Sequence, residues 1–241
     1  MSIVAIIPAR GGSVRISRKN LAPCAAKPLL AWTAEAACGA RTVDYALLST
    51  DDTEIAATGR ELGLEVPFLR PGELANSAAE MLGVLRHSLE WLRANLEGEI
   101  EALVLLQPTS PLRTARHIDE AVADLRRTGA ETVVSVTPVP HQFHPLKALR
   151  LTEDGLETYL ADAPEPGLGT GGMPPAYGRN GPAVLVTRPS VIERGKLYGR
   201  PCLPYVMPPE ASIDIDEPLD LTIAECLLMS RQRGETTDGT E

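Results

Sequence analysis

At 241 residues, 44% hydrophobic and 23% charged, the chain has the composition of a globular protein with one full-sized α/β core. Its formal net charge of −9 excludes nucleic-acid or anionic-membrane binding through a general cationic surface. Four scattered cysteines (Cys24, Cys38, Cys202, Cys226) argue against a zinc site or a disulfide framework and suit a reducing cytoplasm.

The first element is the short apolar run Ile3 to Ile7. It falls far below the roughly 20 residues of a membrane span, so neither a leader nor an anchor is expected. It reads as a strand covered on both faces, and YALLS (45–49), ALVLL (102–106), TVVSV (132–136) and AVLV (183–186) read alike. Helical patterns alternate with these strands. PLLAWTAEAACGA (28–40) opens on Pro28, and TEIAATGREL (53–62) follows the capping candidates Asp51 and Asp52. Residues 78–96 carry Leu82, Leu85, Leu89, Leu92 and Leu96 at spacings of three and four, a core-facing stripe. RHIDEAVADLRRT (116–128) and EPLDLTIAECLLMSRQR (217–233) complete the set, with Trp32 and Trp91 read as core residues of their helices. The alternation predicts a doubly wound, mostly parallel, Rossmann-like sheet in a single domain over residues 1–233.

One excursion breaks the rhythm. KALRLTEDGLETYL reads as a hairpin around Asp154-Gly155, and a Pro/Gly-rich arm follows, so residues 146–180 are expected to be interfacial. The polar tail 234–241 is expected to be disordered.

The chemistry concentrates at the amino end. Arg10, Arg15, Arg18, Lys19 and Lys27 all precede the first acidic residue, Glu35, in an otherwise acidic chain. A loop after the first strand of such a sheet is the usual phosphate site. Gly11 and Gly12 let the backbone approach an anion, and Arg10, Arg15 and Lys19 supply charge-assisted hydrogen bonds. The loop has neither G-x-x-x-x-G-K-[ST] nor G-x-G-x-x-G, which excludes a P-loop and a dinucleotide fingerprint. Near the carboxyl end, Asp214 and Asp216 are one residue apart, so on an extended segment both carboxylates face one side and suit magnesium. His141 and His144 read as loop residues, since nothing near them completes a metal site.

The order IPARGGSVRISRKNL, KPLLAWTAEAA, STDD, LRPGELA, LLQPTSPLR, HPLK, RNG and SIDIDEPLDLTIAE resembles the acylneuraminate cytidylyltransferase family over roughly residues 3–228. The resemblance implies a homodimeric enzyme that joins CMP from CTP to a small acidic acceptor, a sialic acid-like nonulosonic sugar, and releases pyrophosphate. It assigns the triphosphate to Arg10, Gly11, Gly12, Ser13, Lys19 and Asn20, with Arg15 beside them. It assigns cytidine to Arg70 and Ser77, the acceptor to Gln107, Lys147 and Asn180, and magnesium to Asp214 and Asp216. Arg10, Lys19 and the two aspartates are thereby the catalytic set.

Two positions and one stretch depart from the family pattern. Val14 replaces a lysine of the loop, and Val184 replaces an aromatic residue after the RNG motif. No cation stands between Arg150 and Arg179, where an acceptor-binding arginine is expected to reach across the dimer. A different acidic acceptor, such as a phosphonate or another carboxylated sugar, is therefore the second reading, and a non-catalytic nucleotide-binding paralogue a third.

Overall fold

The computed structural model describes residues 1–13, 15–75, 80–160, 163 and 173–234. The chain starts with β1 (Ser2–Pro8), whose Ile3 to Ile7 are fully buried. After the basic loop, β2 (Pro23–Cys24) and β3 (Lys27–Pro28) form a two-residue ladder, turned by Ala25 and Ala26 at positive φ. α1 (Leu29–Gly39) begins directly after Pro28, which stands at the cap rather than inside the first turn. Then come β4 (Tyr45–Ser49), α2 (Thr53–Glu61), α3 (Met81–Asn95), β5 (Ile100–Leu105), α4 (Ala115–Thr128) and β6 (Thr132–Pro138). The hairpin β7 (Leu149–Thr152) and β8 (Gly155–Thr158) follows. The last elements are β9 (Tyr177–Arg179), β10 (Leu185–Thr187), α5 (Pro189–Glu193), β11 (Cys202–Val206) and α6 (Pro218–Gln232).

The main sheet runs β11-β6-β10-β5-β1-β4, with β9 continuing along β6. β1 lies parallel to β4 on one side and to β5 on the other, so Ile6 faces Leu47 and Leu105 across the ladders. The chain leaves β1 for β4, then crosses back to β5 on the other flank. The strand order therefore reverses at the carboxyl end of β1, where open α/β sheets leave a crevice for ligands. One apolar layer packs α1, α2 and α4 on one face of the sheet, and a second packs α3 on the other. Leu85, Leu89 and Leu92 of α3 are buried in that second layer, with Leu82 and Leu96 part-buried against it. Trp32 and Trp91 are likewise part-buried at the rims of their clusters.

β10 departs from the parallel pattern, running antiparallel to both β5 and β6. The chain reaches it from β9 along the same flank of β6, and an antiparallel return needs no helical crossover. β9 and β11 are strands that the apolar-run criterion passes over. β11 is an edge strand of alternating exposure with Pro204 inside it, a residue tolerated at an edge because its missing N–H costs no inner ladder bond. The hairpin falls where expected, with Gly155 at φ 128 closing the turn. Among the described residues no helix is long and apolar enough to cross a membrane. The tail from residue 235 and the arm from 164 to 172 lie outside the described residues, as do Val14 and Ser77.

Candidate active site

A cavity of about 540 Å³ opens at the carboxyl end of β1. Its first wall is the basic loop. Asn20 is buried, and its Nδ2 donates to Arg10 O at 2.9 Å, which closes the loop on itself. Gly11 donates its N–H to Asp51 Oδ1 at 3.0 Å and packs so tightly that a Cβ there would lie 2.7 Å from Asp52 Oδ2. Arg10, Ser13, Arg15 and Lys19 then line the cavity. Arg18 turns away, with φ 47, to pair with Asp52 and Glu54.

The facing wall is the segment before α6. Ile215 is fully buried, so alternation along the chain sends Asp214 and Asp216 to the cavity side. The Ile215 N–H donates to Thr109 O at 2.8 Å, which fixes that register. Burial pushes the Asp214 carboxyl above the usual carboxylate range, and the Asp216 charge adds to the shift. A hydrogen bond from the Thr109 hydroxyl opposes it, and Asp214 Oδ1 remains buried without a hydrogen-bond partner. Asp216 is exposed. Lys19 Nζ donates to Ile215 O at 2.6 Å and sits 3.5 Å from Asp216 Oδ1, while Arg15 reaches Glu217 at 3.2 Å. Cations of the first wall thus rest against carboxylates of the second.

The third wall carries Arg70, whose side chain is only 4% exposed and lies 3.8 Å from Asp51. Its Nε and Nη2 have no hydrogen-bond partner. Leu74, Met81 and Val84 add an apolar face beside it. The rim is closed by Gln107, whose Nε2 donates to Gly181 O at 2.9 Å. Gly181 has φ +116, which favours glycine, and a Cβ there would crowd Ser110 Oγ at 3.0 Å. Beneath the rim, Arg113 is fully enclosed. It donates to Gln107 O and Ala183 O from Nη1 and to Thr33 Oγ1 from Nη2. With no carboxylate beside it, burial pulls its pKa down to about 9.

Two carboxylates, one with an orphaned buried oxygen, suit a hard divalent cation. Among the described residues no group of three or more His, Cys, Asp or Glu could enclose a metal unaided.

A family model described as Cytidylyltransferase matches residues 4–164, about two thirds of the chain. The chain belongs to the cytidylyltransferase family. It is 30% identical to the CMP-N,N'-diacetyllegionaminic acid synthase of Legionella pneumophila, over 96% of this chain and 98% of that protein. It is 31% identical to an Escherichia coli N-acylneuraminate cytidylyltransferase over 96% of this chain, but spans only 53% of that longer protein. A solved CMP:2-keto-3-deoxy-manno-octonic acid synthetase shares the fold, with a TM-score of 0.69 at 15% identity, over 96% of this chain and all of that one.

Of the residues expected at the site of this cytidylyltransferase, the cavity gathers Arg10, Ser13, Arg15, Lys19, Asn20, Arg70, Gln107, Asp214 and Asp216. Four expected residues stand elsewhere. The Gly11 N–H is already taken by Asp51, and neither Gly11 nor Gly12 lines the cavity. Asn180 is buried under the rim: its Oδ1 accepts from Ser135 Oγ at 2.6 Å and its Nδ2 donates to Ser212 Oγ at 3.0 Å. It braces the segment that presents Gly181, and no part of its amide is left for a ligand. Lys147 ends a short turn, with Nζ 3.0 Å from His141 Nδ1, away from the cavity lining. His144 is buried and tied to Pro174 O, so it too is a brace. Sequence reasoning missed Thr109, Arg113 and Gly181, although LLQPTSPLR and RNG both contained the signal. The apolar trio Leu74, Met81 and Val84 had no signal, because such residues read as core.

Proposed function

We propose that this cytidylyltransferase transfers CMP from CTP to a hydroxyl of an acidic nonulosonic sugar, with pyrophosphate as the leaving group. The observation that carries the reading is the opposition, within one cavity, of the Arg10–Lys19 loop and the Asp214/Asp216 pair, with buried Arg70 in the third wall. Arg10, Arg15 and Lys19 receive the triphosphate and stabilise the charge that grows on the departing pyrophosphate. To do so, Lys19 and Arg15 exchange their carboxylate partners for phosphate oxygens. Arg70 offers unpartnered donors beside an apolar face, an arrangement that suits the polar edge and the flat face of a cytosine. Asp214 and Asp216 would hold magnesium, which would supply neutralisation of the triphosphate charge. Gln107 and Thr109 line the side left for the acceptor. The site thus acts mainly by positioning and charge compensation.

The relatives' names favour nine-carbon acids as acceptors, whereas the lining cations Arg10, Arg15, Lys19 and Arg70 all belong to the nucleotide side. A homodimer would supply the missing acceptor contact. The hairpin supports one, since Leu149, Leu151 and Leu156 share an exposed face. The four cysteines are free thiols, which suits the reducing cytoplasm as the working compartment.

The test is pyrophosphate release with each of the four nucleoside triphosphates, with and without magnesium, across a panel of acidic acceptors. The expected outcome is magnesium-dependent release with CTP and a nine-carbon 2-keto acid. A preference for ATP or GTP would overturn the assignment. Brisk turnover of a phosphonate or a shorter sugar acid, with none of any nine-carbon acid, would keep the chemistry and change the acceptor.

A further inference from the structure

The two aspartates after β4 have separate tasks. Asp52 caps α2, its carboxylate accepting the N–H groups of Glu54 and Ile55 at 2.9 and 3.0 Å. Asp51 makes neither of those contacts. Its Oδ1 accepts the Gly11 N–H from the phosphate loop at 3.0 Å and lies 3.8 Å from Arg70 Nη2 in the third wall. One carboxylate therefore joins the loop after β1 to the arginine some 60 residues further along the chain.

The electrostatics give that bridge its weight. A buried guanidinium that lacks hydrogen-bond acceptors, unlike Arg113 with its three neutral ones, depends on a nearby anion to offset its lost hydration. Arg70 has no hydrogen-bond partner for Nε or Nη2, and the Arg10 charge repels it. The Asp51 carboxylate is what counters both effects. Without that charge the guanidinium would be drawn toward water, and an incoming nucleotide would have to order it again before using it.

We propose that Asp51 is a positioning residue for nucleotide binding, holding Arg70 and the Gly11 loop in register so that base and phosphate contacts form together. The proposal rests on the reading of Arg70 as a nucleotide contact. It concerns charge more than loop anchoring. Asparagine keeps an oxygen acceptor for Gly11 but removes the compensating charge, so Asp51→Asn isolates the effect on Arg70.

The experiment is a double-mutant cycle on CTP binding, measured by titration calorimetry with magnesium for wild type, Asp51→Asn, Arg70→Met and the double variant. Asp51→Asn is expected to weaken binding about tenfold and Arg70→Met at least as much. On the Arg70→Met background, Asp51→Asn should add less than twofold. Asp51→Glu, which restores the charge, should bind within about threefold of wild type, a rescue that a purely structural defect would not show. Additive losses, or Asp51→Asn binding like wild type while Arg70→Met does not, overturn the positioning role. CTP binding absent in wild type, or unchanged in Arg70→Met, removes the reading beneath it instead.

Discussion

Asp214 and Asp216 carry the same functional group and sit in opposite environments, and their variants should behave differently. Asp216 is exposed, with Lys19 beside it, so replacing it costs little folding stability. In its proposed role as a metal ligand it should still matter greatly: Asp216→Asn is expected to lower magnesium-dependent turnover 100-fold or more, about 2.7 kcal/mol, at an unchanged melting temperature. A melting temperature that falls along with the activity would make Asp216 a structural residue rather than a ligand. Asp214 is the buried partner, and burial raises its pKa in the fold. The unfolded chain ionises it at its ordinary value while the folded protein still holds the proton. Across that window, rising pH favours unfolding, and above the raised pKa the penalty is complete. Asp214→Asn should therefore melt higher than wild type at neutral pH without metal, match it near pH 3 where both side chains are neutral, and lose activity. A variant that melts lower at neutral pH would show that the buried carboxylate stabilises the fold.

At the scale of elements, the site depends on how three chain segments are tied together under the rim. Arg113 spans the turn after β5, the segment before β10 and Thr33 of α1, using only neutral acceptors. Arg113→Met leaves Ala183 O unpaired in a buried place and Gln107 O with only the 3.3 Å bond from the Ser110 N–H, and it empties a buried site at Thr33 Oγ1, at roughly 1–3 kcal/mol per lost partner. The expected outcome is a loss of roughly 3 kcal/mol in urea unfolding together with weakened catalysis, since Gln107 and Ala183 would lose their shared anchor. Stability within about 0.5 kcal/mol of wild type would show that the turn holds without it. The same rim marks the limit of what the sequence revealed. The aliphatic runs gave β1, β4, β5 and β6, because strands covered on both faces carry a continuous apolar signal. β11 alternates and contains a proline, and the direction of β10 depends on a return along β6 that no local pattern encodes. The basic loop was legible because its charge contradicts the acidic balance of the rest of the chain, and the aspartate pair because two carboxylates one residue apart share a face of an extended segment. Asn180 was read as a ligand contact because an asparagine next to glycine looks the same whether its amide faces a substrate or Ser135.

At the scale of the whole molecule, the hairpin is the part the monomer does not account for. Leu151 pairs directly with Leu156, and Leu149 lies on the same face, while Arg150 and Glu157 pair on the other. Leu151 and Leu156 are 82% and 68% exposed, and Tyr159 just beyond them is 65% exposed. A two-stranded hairpin is at best marginally stable in water, so an amphipathic one held out from the sheet calls for a surface to cover it. A second copy of the chain would meet that need and would also bear on chemistry, because the proposed function gives the cations that line the cavity, Arg10, Arg15, Lys19 and Arg70, to the nucleotide. Light scattering at micromolar concentration should find a dimer for wild type and a monomer for Leu151→Glu combined with Leu156→Glu. The double variant should bind CTP with magnesium as wild type does, since every lining cation comes from its own chain. Its KM for the acidic acceptor should rise at least tenfold. A monomeric wild type would remove the dimer outright. A monomeric variant with an unchanged acceptor KM would leave the dimer in place but show that each site is complete within one chain.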